Sequence, residues 1–146
     1  TKNFALIKGL EIPIRENSTD VLISNASIKI DDLHFNATDL KCIKGPEFEL
    51  LNTQQQKRLL ENLFSISKDV SRMGYRLNEL IENELPTLLT SSVLPGTLQL
   101  TPSGTLIILT RDCQVTGGYP RILQLSEKAI NILSQKTAGQ KIEFSL

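Results

Sequence analysis

The chain has 146 residues, in which 16 basic side chains balance 16 acidic ones and no block of like charge occurs. This balance argues against a dedicated nucleic-acid surface, which needs a basic excess on one face. No apolar stretch approaches the roughly 20 residues that span a bilayer, so no membrane partner is expected. A chain of this length buries roughly two-thirds of its unfolded surface, and we expect a single domain over residues 1–146.

The cysteine and histidine content disfavours several common kinds of site. Cys42 and Cys113 lack the paired spacing of a zinc site or a redox motif. Two such cysteines are more often reduced core thiols, which favours a cytoplasmic location and a buried thiol at Cys113. His34 is the only histidine and has no nucleophile motif beside it, so a Ser-His-Asp or Cys-His site has little support. We expect no metal site.

In chain order, most of the predicted elements are short strands. Apolar runs and period-two alternation predict strands at residues 4–7, 20–23, 26–30, 40–43, 96–100, 105–109, 119–125 and 142–146. Residues 101–104 read T-P-S-G and predict the turn of a β-hairpin. In the last strand, Ile142, Phe144 and Leu146 are predicted to share one face.

Two segments, residues 53–65 and 126–135, are predicted helices. Asn52 or Thr53 caps the first and Ser126 caps the second. The apolar stripe of the first helix is Leu59, Leu60, Leu63 and Phe64. Residues 77–89 are ambiguous, because Pro86 interrupts an otherwise helical pattern. Many short strands with two or three short helices predict a mainly β fold, a closed or nearly closed β-barrel.

Two clusters of polar residues stand out. Residues 112–121 read D-C-Q-V-T-G-G-Y-P-R and follow a predicted buried strand, and residues 71–77 read S-R-M-G-Y-R-L. The glycine pair at 117 and 118 allows backbone conformations that are closed to other residues, and it allows a ligand to approach the main chain. The alternative for residues 112–121 is a tight turn with polar side chains in solvent.

Together these clusters resemble the C-terminal half of the biotin-dependent carboxyltransferase family. That family includes the C subunit of 5-oxoprolinase, the KipA proteins and the carboxyltransferase region of urea carboxylase, also called allophanate hydrolase subunit 2. Its pattern is close to D-R-M-G-Y-R-L, then V-x-P-G-T-x-Q-x-x-x-x-G, then D-R-Q-T-T-G-G-Y-P. This chain supplies residues 72–77, 93–104 and 112–120 in the same order. The resemblance implies a cyclophilin-like β-barrel.

The chain also departs from the family pattern. Cys113 replaces an arginine, Val115 replaces the first of two threonines, and Ser71 stands where an acid is usual. The N-terminal half of the family has no counterpart in this chain. A site shared between the two halves would be incomplete, so we expect the isolated chain to be inactive.

The two clusters supply the candidate site residues. Arg72 and Arg76, which with Asp112 and Gln114 are the candidate catalytic residues, are four apart in a predicted strand. Both guanidiniums would therefore face one way and could bind a carboxylate or a phosphate. Alternatively, both pair with surface acids, while Met73 and Tyr75 face the core. If the arginines line a pocket, Tyr75 is structural. Tyr75 is also included among the candidate substrate-binding residues.

The second cluster offers complementary groups. Gln114 both donates and accepts, which suits a ureido or lactam group. Asp112 acts as a base, or pairs with Arg72 or Arg76. The remaining candidates bind substrate: Thr116 with the amides of Gly117 and Gly118 as a small anion nest, and Tyr119 as a pocket wall or a cap on the core. We expect an arginine of the first cluster within one side-chain length of Asp112 or Gln114, around a concavity that exposes the glycine pair.

The resemblance implies two functions of different kinds. In the first, the chain is part of an enzyme subunit that takes part in the ATP-dependent hydrolysis of 5-oxoproline to glutamate, or in a related amide carboxylation, with proteins of the A and B subunit types as partners. No phosphate-binding loop or biotinylation segment is present, so ATP or biotin would come only through partner subunits. In the second, the chain is a KipA-like binding module that engages a KipI-type inhibitor of a histidine kinase.

Overall fold

The computed structural model describes residues 33–146, in which strands form a closed seven-stranded β-barrel. The strands are β1 (Asp39–Lys44), β2 (Phe64–Val70), β3 (Gly74–Leu80), β4 (Ser91–Ser92), β5 (Thr97–Leu100), β6 (Thr105–Leu109), β7 (Thr116–Gly117), β8 (Arg121–Leu125) and β9 (Lys141–Ser145). The helices are α1 (Leu33–Asn36), α2 (Thr53–Glu61) and α3 (Glu127–Leu133), and a 3₁₀ turn spans Phe48–Leu50. The predicted mainly β barrel with short helices is confirmed.

Around the barrel the strands follow the order β1, β8, β5, β6, β3, β2, β9, and β9 pairs with β1 to close it. The β1–β9 pair is parallel, whereas the other barrel pairs are antiparallel. β4 and β7 form a separate two-stranded sheet. The hairpin predicted from its T-P-S-G turn is the β5–β6 pair.

Some predictions concern residues that the structure does not describe. The strands predicted at residues 4–7, 20–23 and 26–30 lie outside residues 33–146. The prediction of one domain over the whole chain includes these residues, so it stays a prediction. Among the described helices, none is long and apolar enough to cross a membrane.

The interior of the barrel is apolar because side chains alternate along each strand. Leu98 and Leu100 of β5 and Leu106 and Ile108 of β6 are buried in the core, and the residues between them face outward. Burying one such side chain stabilises the fold by roughly 1.5–3 kcal/mol. The outward positions are therefore available for a site on the barrel wall.

The helices begin where their capping residues predict. The side chain of Asn52 accepts a hydrogen bond from the Gln55 amide at the start of α2, and Gln55 reciprocates. The Ser126 side chain accepts from the amide of Ala129 at the start of α3. The predicted helix 53–65 is too long, because α2 ends at Glu61 and Phe64 instead starts β2, where it pairs with Ile142 of β9.

Two further strand predictions need correction. β3 begins at Gly74, so Arg72 lies in the turn after β2 and does not share a strand face with Arg76. Met73 in the same turn is exposed and does not belong to the core. At the other end of the chain, β9 ends at Ser145, and Leu146 beyond it is exposed although Ile142 and Phe144 are buried.

The two cysteines differ in their surroundings. Cys42 is buried in β1, and its thiol donates a hydrogen bond to the backbone oxygen of Ser145. Burial, helped by the nearby carboxylate of Asp39, raises the pKa of the Cys42 thiol to about 11. Cys113 is only half-buried, which corrects the expectation of a buried thiol, and its partial burial also raises its pKa. Both thiols are therefore protonated at neutral pH and poor nucleophiles.

Candidate functional site

Strand register places a polar row on the outer wall of the barrel. Ile107 of β6 pairs with Arg76 of β3 on one side and with Gln99 of β5 on the other. Paired residues in neighbouring strands project to the same face. Arg76 and Gln99 therefore flank Ile107 on one surface, with two strand spacings, roughly 10 Å, between their backbones.

This row forms the floor of a cavity of about 650 Å³. The end of β2 and the turn after it form one wall, and the loop that follows β6 forms another. The chemically active residues that line the cavity are Lys68, Asp69, Arg76, Gln99, Gln114 and Tyr119. Residues of both predicted polar clusters thus face one concavity.

The two clusters are also joined directly at the edge of this cavity. The guanidinium Nε of Arg72 lies 2.7 Å from Oδ2 of Asp112. The backbone oxygen of Arg72 accepts from the Thr110 hydroxyl at 2.5 Å and from the Asp112 amide at 3.0 Å. Contact between the clusters is therefore as expected from the sequence. However, the Arg72 side chain is 87% exposed, and neither it nor Asp112 lines the cavity.

Arg76 is placed differently from Arg72. It is exposed on β3 and faces the cavity together with Gln114. Within residues 33–146, no carboxylate lies close enough to Arg76 to form an ion pair. The alternative in which both arginines pair with surface acids therefore holds for Arg72 but not for Arg76.

The glycine pair serves close packing. A Cβ on Gly117 would lie 2.6 Å from Nε2 of Gln99, and one on Gly118 would lie 3.1 Å from the backbone oxygen of Leu88. Neither glycine has a positive φ, so the prediction that they adopt conformations closed to other residues is wrong. Thr116 is exposed in β7, and neither it nor the glycines line the cavity. The anion nest predicted from these three residues is therefore not part of this cavity, and the cavity does not expose the glycine pair as predicted.

The two tyrosines face opposite ways. Tyr75 packs against the hydrophobic core, and its burial raises the pKa of its phenol. It does not line the cavity, in keeping with the alternative that it is structural. Tyr119 is partly exposed and forms part of the cavity wall. Of the predicted substrate-binding residues, Tyr119 alone lines this cavity.

An ion pair that the sequence analysis missed anchors the second cluster. Arg121 donates to Glu47 from its backbone amide at 2.9 Å, from Nε at 3.0 Å and from Nη2 at 2.8 Å. These hydrogen bonds hold the pKa of Glu47 below its usual value. The backbone oxygen of Arg121 also lies so close to Gly45 that a Cβ there would collide with it. Glu47 and Arg121 are 74 positions apart, so no local pattern in the sequence indicates that they pair.

A second missed residue is Gln99. It lies in the family-like stretch V-L-P-G-T-L-Q, yet its predicted strand gave no reason to single it out. The cavity floor identifies it, because its side chain is 2% exposed and borders the cavity beside Tyr119. Among the described residues, no group of three His, Cys, Asp or Glu side chains is arranged to hold a metal ion.

Comparison with known proteins assigns the family. The family model described as carboxyltransferase domain, subdomain A and B, matches residues 2–146. The chain is 35% identical over 107 residues to the C subunit of 5-oxoprolinase from Escherichia coli strain K12, and 30% identical over 107 residues to that from Haemophilus influenzae. Each match covers 72% of this chain. The chain therefore belongs to the carboxyltransferase-domain family, as its motifs suggested.

The relatives are much longer than this chain. The matches cover 34% and 35% of the two 5-oxoprolinase proteins, so the chain spans about a third of their length. The crystal structure of Kluyveromyces lactis urea carboxylase matches with a TM-score of 0.63 at 16% identity, covering 73% of this chain and 10% of that one. At this identity the likeness shows a shared fold alone.

Proposed function

We propose that this chain forms the substrate-binding domain of a protein like the C subunit of 5-oxoprolinase, which takes part with partner subunits in the ATP-dependent hydrolysis of 5-oxoproline to glutamate. Membership of the carboxyltransferase-domain family and the likeness to two such proteins support this proposal. The observation that carries it is the cavity in which Arg76, without an acidic partner in the described part of the chain, faces Gln114.

The side chains of the cavity suit a small carboxylated lactam. A guanidinium binds a carboxylate through two parallel hydrogen bonds, which assigns that group to Arg76. Lys68 and Asp69, which have opposite charges, also line the cavity. Gln114 can donate a hydrogen bond to the oxygen of the N–C=O group, and Tyr119 provides an aromatic wall. Arg72 and Asp112 lie one step away, where backbone hydrogen bonds and their exposed ion pair join the turn after β2 to the loop that carries Gln114.

The proposed partners supply what this chain lacks. ATP, or biotin in a related amide carboxylation, would be bound by proteins like the A and B subunits of 5-oxoprolinase. The chain's own residues then bind the substrate, orient its amide and exclude part of the surrounding water. Because the relatives are about three times as long, we expect turnover to require the full-length protein together with its partners.

Turnover of 5-oxoproline by the assembled complex tests this proposal. We expect Arg76→Gln or Gln114→Leu to reduce kcat/KM by about one to two decades, since a hydrogen bond to a charged group contributes roughly 1.5–3 kcal/mol. Arg58→Gln on α2 removes an exposed arginine that does not line the cavity, and should leave turnover unchanged. Wild-type turnover in both cavity variants would overturn the proposal.

A KipA-like regulatory module is the second candidate. Val115 and Tyr119, on the loop beside the cavity, expose apolar and aromatic surface that could anchor a protein partner. If this function is correct, Tyr119→Ala should weaken pull-down of a KipI-like protein at least tenfold. The same complex preparations distinguish the two functions, because lost association with unchanged 5-oxoproline turnover would favour the binding module.

A further inference from the structure

Gln99 has more hydrogen-bonding capacity than the described structure uses. A carboxamide offers two N–H donors and an oxygen with two lone pairs. Among the described residues, the only hydrogen bond of this side chain runs from Nε2 to the backbone oxygen of Tyr119 at 3.5 Å, the far limit for such a bond. A polar side chain that is 2% exposed normally has closer partners. Since Gln99 borders the cavity, a ligand bound there would supply them.

A neighbouring glutamine shows what a satisfied carboxamide looks like on this barrel. Gln124 of β8 also faces outward, and its Oε1 accepts from the Thr97 hydroxyl at 2.8 Å. Its Nε2 donates to the backbone oxygen of Pro95, also at 2.8 Å. Gln124 of β8 is therefore hydrogen-bonded to Thr97 of β5 and to Pro95 in the loop before β5. Gln99 lacks such links, although it is the same residue type on the adjacent strand.

The surroundings of Gln99 fix where its carboxamide lies. Gly117 leaves a space beside Nε2 that any Cβ would fill, since such an atom would lie only 2.6 Å away. The side chain is thus held between β7 and the start of the Tyr119 turn. Among the described residues Oε1 of Gln99 has no hydrogen-bond partner, and Nε2 has only the long contact to Tyr119. The carboxamide therefore keeps an acceptor and a donor that a ligand in the cavity could use.

We propose that Gln99 is the specificity-determining residue of the cavity and that it binds the amide group of a carboxylated lactam, an inference that rests on the proposed function. A lactam ring keeps its amide cis, so its N–H and C=O point to the same side. Such an edge pairs with a carboxamide through two parallel hydrogen bonds. An open-chain trans amide does not present this edge, and the opened product glutamate has no amide at all.

The position of Arg76 completes the match. Its backbone lies two strands from Gln99, roughly 10 Å away, with Ile107 between them. In 5-oxoproline the carboxylate is on the carbon next to the amide nitrogen. A ligand that lies over Ile107 can therefore direct its carboxylate to Arg76 and its amide edge to Gln99, with its ring carbons against the isoleucine. Gln114 approaches the same ligand from the loop above.

Three probes distinguish binding of the carboxylate from binding of the amide. 5-Oxoproline carries the carboxylate and the lactam, cyclopentanecarboxylate lacks the amide, and 2-pyrrolidinone lacks the carboxylate. Affinities are measured by calorimetry on the assembled complex, together with 5-oxoproline turnover. We expect Gln99→Met to weaken 5-oxoproline at least tenfold, because one or two hydrogen bonds are lost, and to leave cyclopentanecarboxylate unchanged. Arg76→Gln should weaken both carboxylated probes and spare 2-pyrrolidinone.

Matched variants keep the outcome decisive. Gln124→Met removes an equivalent carboxamide whose partners are within the protein, and should leave the ratio of 5-oxoproline to cyclopentanecarboxylate affinity unchanged. If Gln99→Met does not fold, Gln99→Glu replaces it, since the isosteric carboxylate repels the lactam carbonyl and should also lower that ratio. An unchanged ratio in the folded Gln99 variant would overturn the assignment.

Failure of the proposed function gives a different result. If the wild-type complex binds 5-oxoproline but does not hydrolyse it, the proposed hydrolysis is wrong, and the affinity ratio still decides the role of Gln99. If none of the three probes binds the wild-type complex, both proposals are wrong.

Discussion

Glu47 and Arg121 form the most enclosed ion pair among the described residues. The Glu47 side chain is 12% exposed, whereas each of the other ion pairs includes side chains that are at least 45% exposed. Arg121 directly follows the Gly-Gly-Tyr-Pro turn, so this pair fixes the end of the loop that borders the cavity. Its partner Glu47 belongs to the Gly-Pro turn after β1, which makes that turn a support for the site.

Removal of the Glu47 charge should destabilise the protein. We expect Glu47→Gln to lower the free energy of unfolding by about 2–3 kcal/mol, because the mostly buried guanidinium loses its charged partner. Urea denaturation at pH 7 measures this change. Glu49→Gln, which breaks an exposed pair with Lys44, serves as the control and should shift the midpoint only slightly. Equal effects would show that enclosure does not strengthen the Glu47 pair.

The same pair predicts a pH dependence. Arg121 lowers the pKa of Glu47 in the folded state, so the stabilisation is fully present above the unfolded carboxyl pKa of about 4.3. It is lost as the pH falls through the lower pKa of the folded state. We therefore expect the stability difference between wild type and Glu47→Gln to shrink below about pH 4. Urea midpoints between pH 7 and pH 3 test this, and a constant difference would contradict it.

At the scale of elements, the turn after β2 and the loop after β6 are held together more by backbone than by charge. The Thr110 hydroxyl and the Asp112 amide both donate to the backbone oxygen of Arg72, and the Thr110 amide donates to that of Met73. Thr110 is almost fully buried, whereas the Arg72 guanidinium is in solvent. The buried hydrogen bonds therefore contribute more to this junction than the visible ion pair.

This ranking gives a third prediction. Thr110→Val keeps the shape of the side chain but removes its hydroxyl, and should lower the free energy of unfolding by about 1–1.5 kcal/mol. Arg72→Gln should lower it by about 0.5 kcal/mol or less, since the pair is exposed and screened by salt. Denaturation in low and high salt measures both. A larger, salt-sensitive loss in Arg72→Gln would reverse the ranking.

The elements that sequence could predict are those with local signals. The capping residues of α2 and α3, the T-P-S-G turn and the alternation of the last strand each depend on neighbours within a few positions. The end of α2 was misplaced because Leu63 and Phe64 continue a helical pattern, while the competing signal is the pairing of Phe64 with Ile142. That pairing spans most of the described chain and leaves no trace nearby in the sequence.

The same distinction applies to the site. Family-like motifs allowed the two polar clusters to be brought together, and Arg76, Gln114 and Tyr119 line one cavity. The roles of Arg72 and Asp112 could not be ranked, because the turn that exposes Arg72 was predicted as strand. Gln99 was not singled out from the sequence, because two features draw attention to it only in the folded chain. These features are its burial and its close contact with Gly117, which has no Cβ.

For the whole molecule, closure of the barrel depends on the last strand. β9 pairs with β1 on one side and β2 on the other, and the Phe144 ring lies 5.5 Å from that of Phe64. These contacts join residues far apart in the chain, so their loss opens the barrel. The last strand is therefore part of the fold's central structure and not a peripheral tail.

A fourth prediction follows for this strand. Phe144→Ala should lower the free energy of unfolding by about 3–5 kcal/mol, because it leaves a cavity in the core beside Phe64. Leu146→Ala, at an exposed position beyond the strand, should change it by less than about 0.5 kcal/mol. Urea denaturation of both variants measures the contrast. A loss for Leu146→Ala comparable to that for Phe144→Ala would show that the barrel closes differently.

The parallel pairing of β1 with β9 has a topological consequence. Asp39 lies opposite Glu143 and Lys41 opposite Ser145, so the polypeptide enters and leaves the barrel at adjacent strands. Because the two strands run in the same direction, the chain that approaches β1 and the chain that leaves β9 point away from each other. A segment fused after Ser145 would therefore project towards the Lys44 end of β1 and away from Asp39.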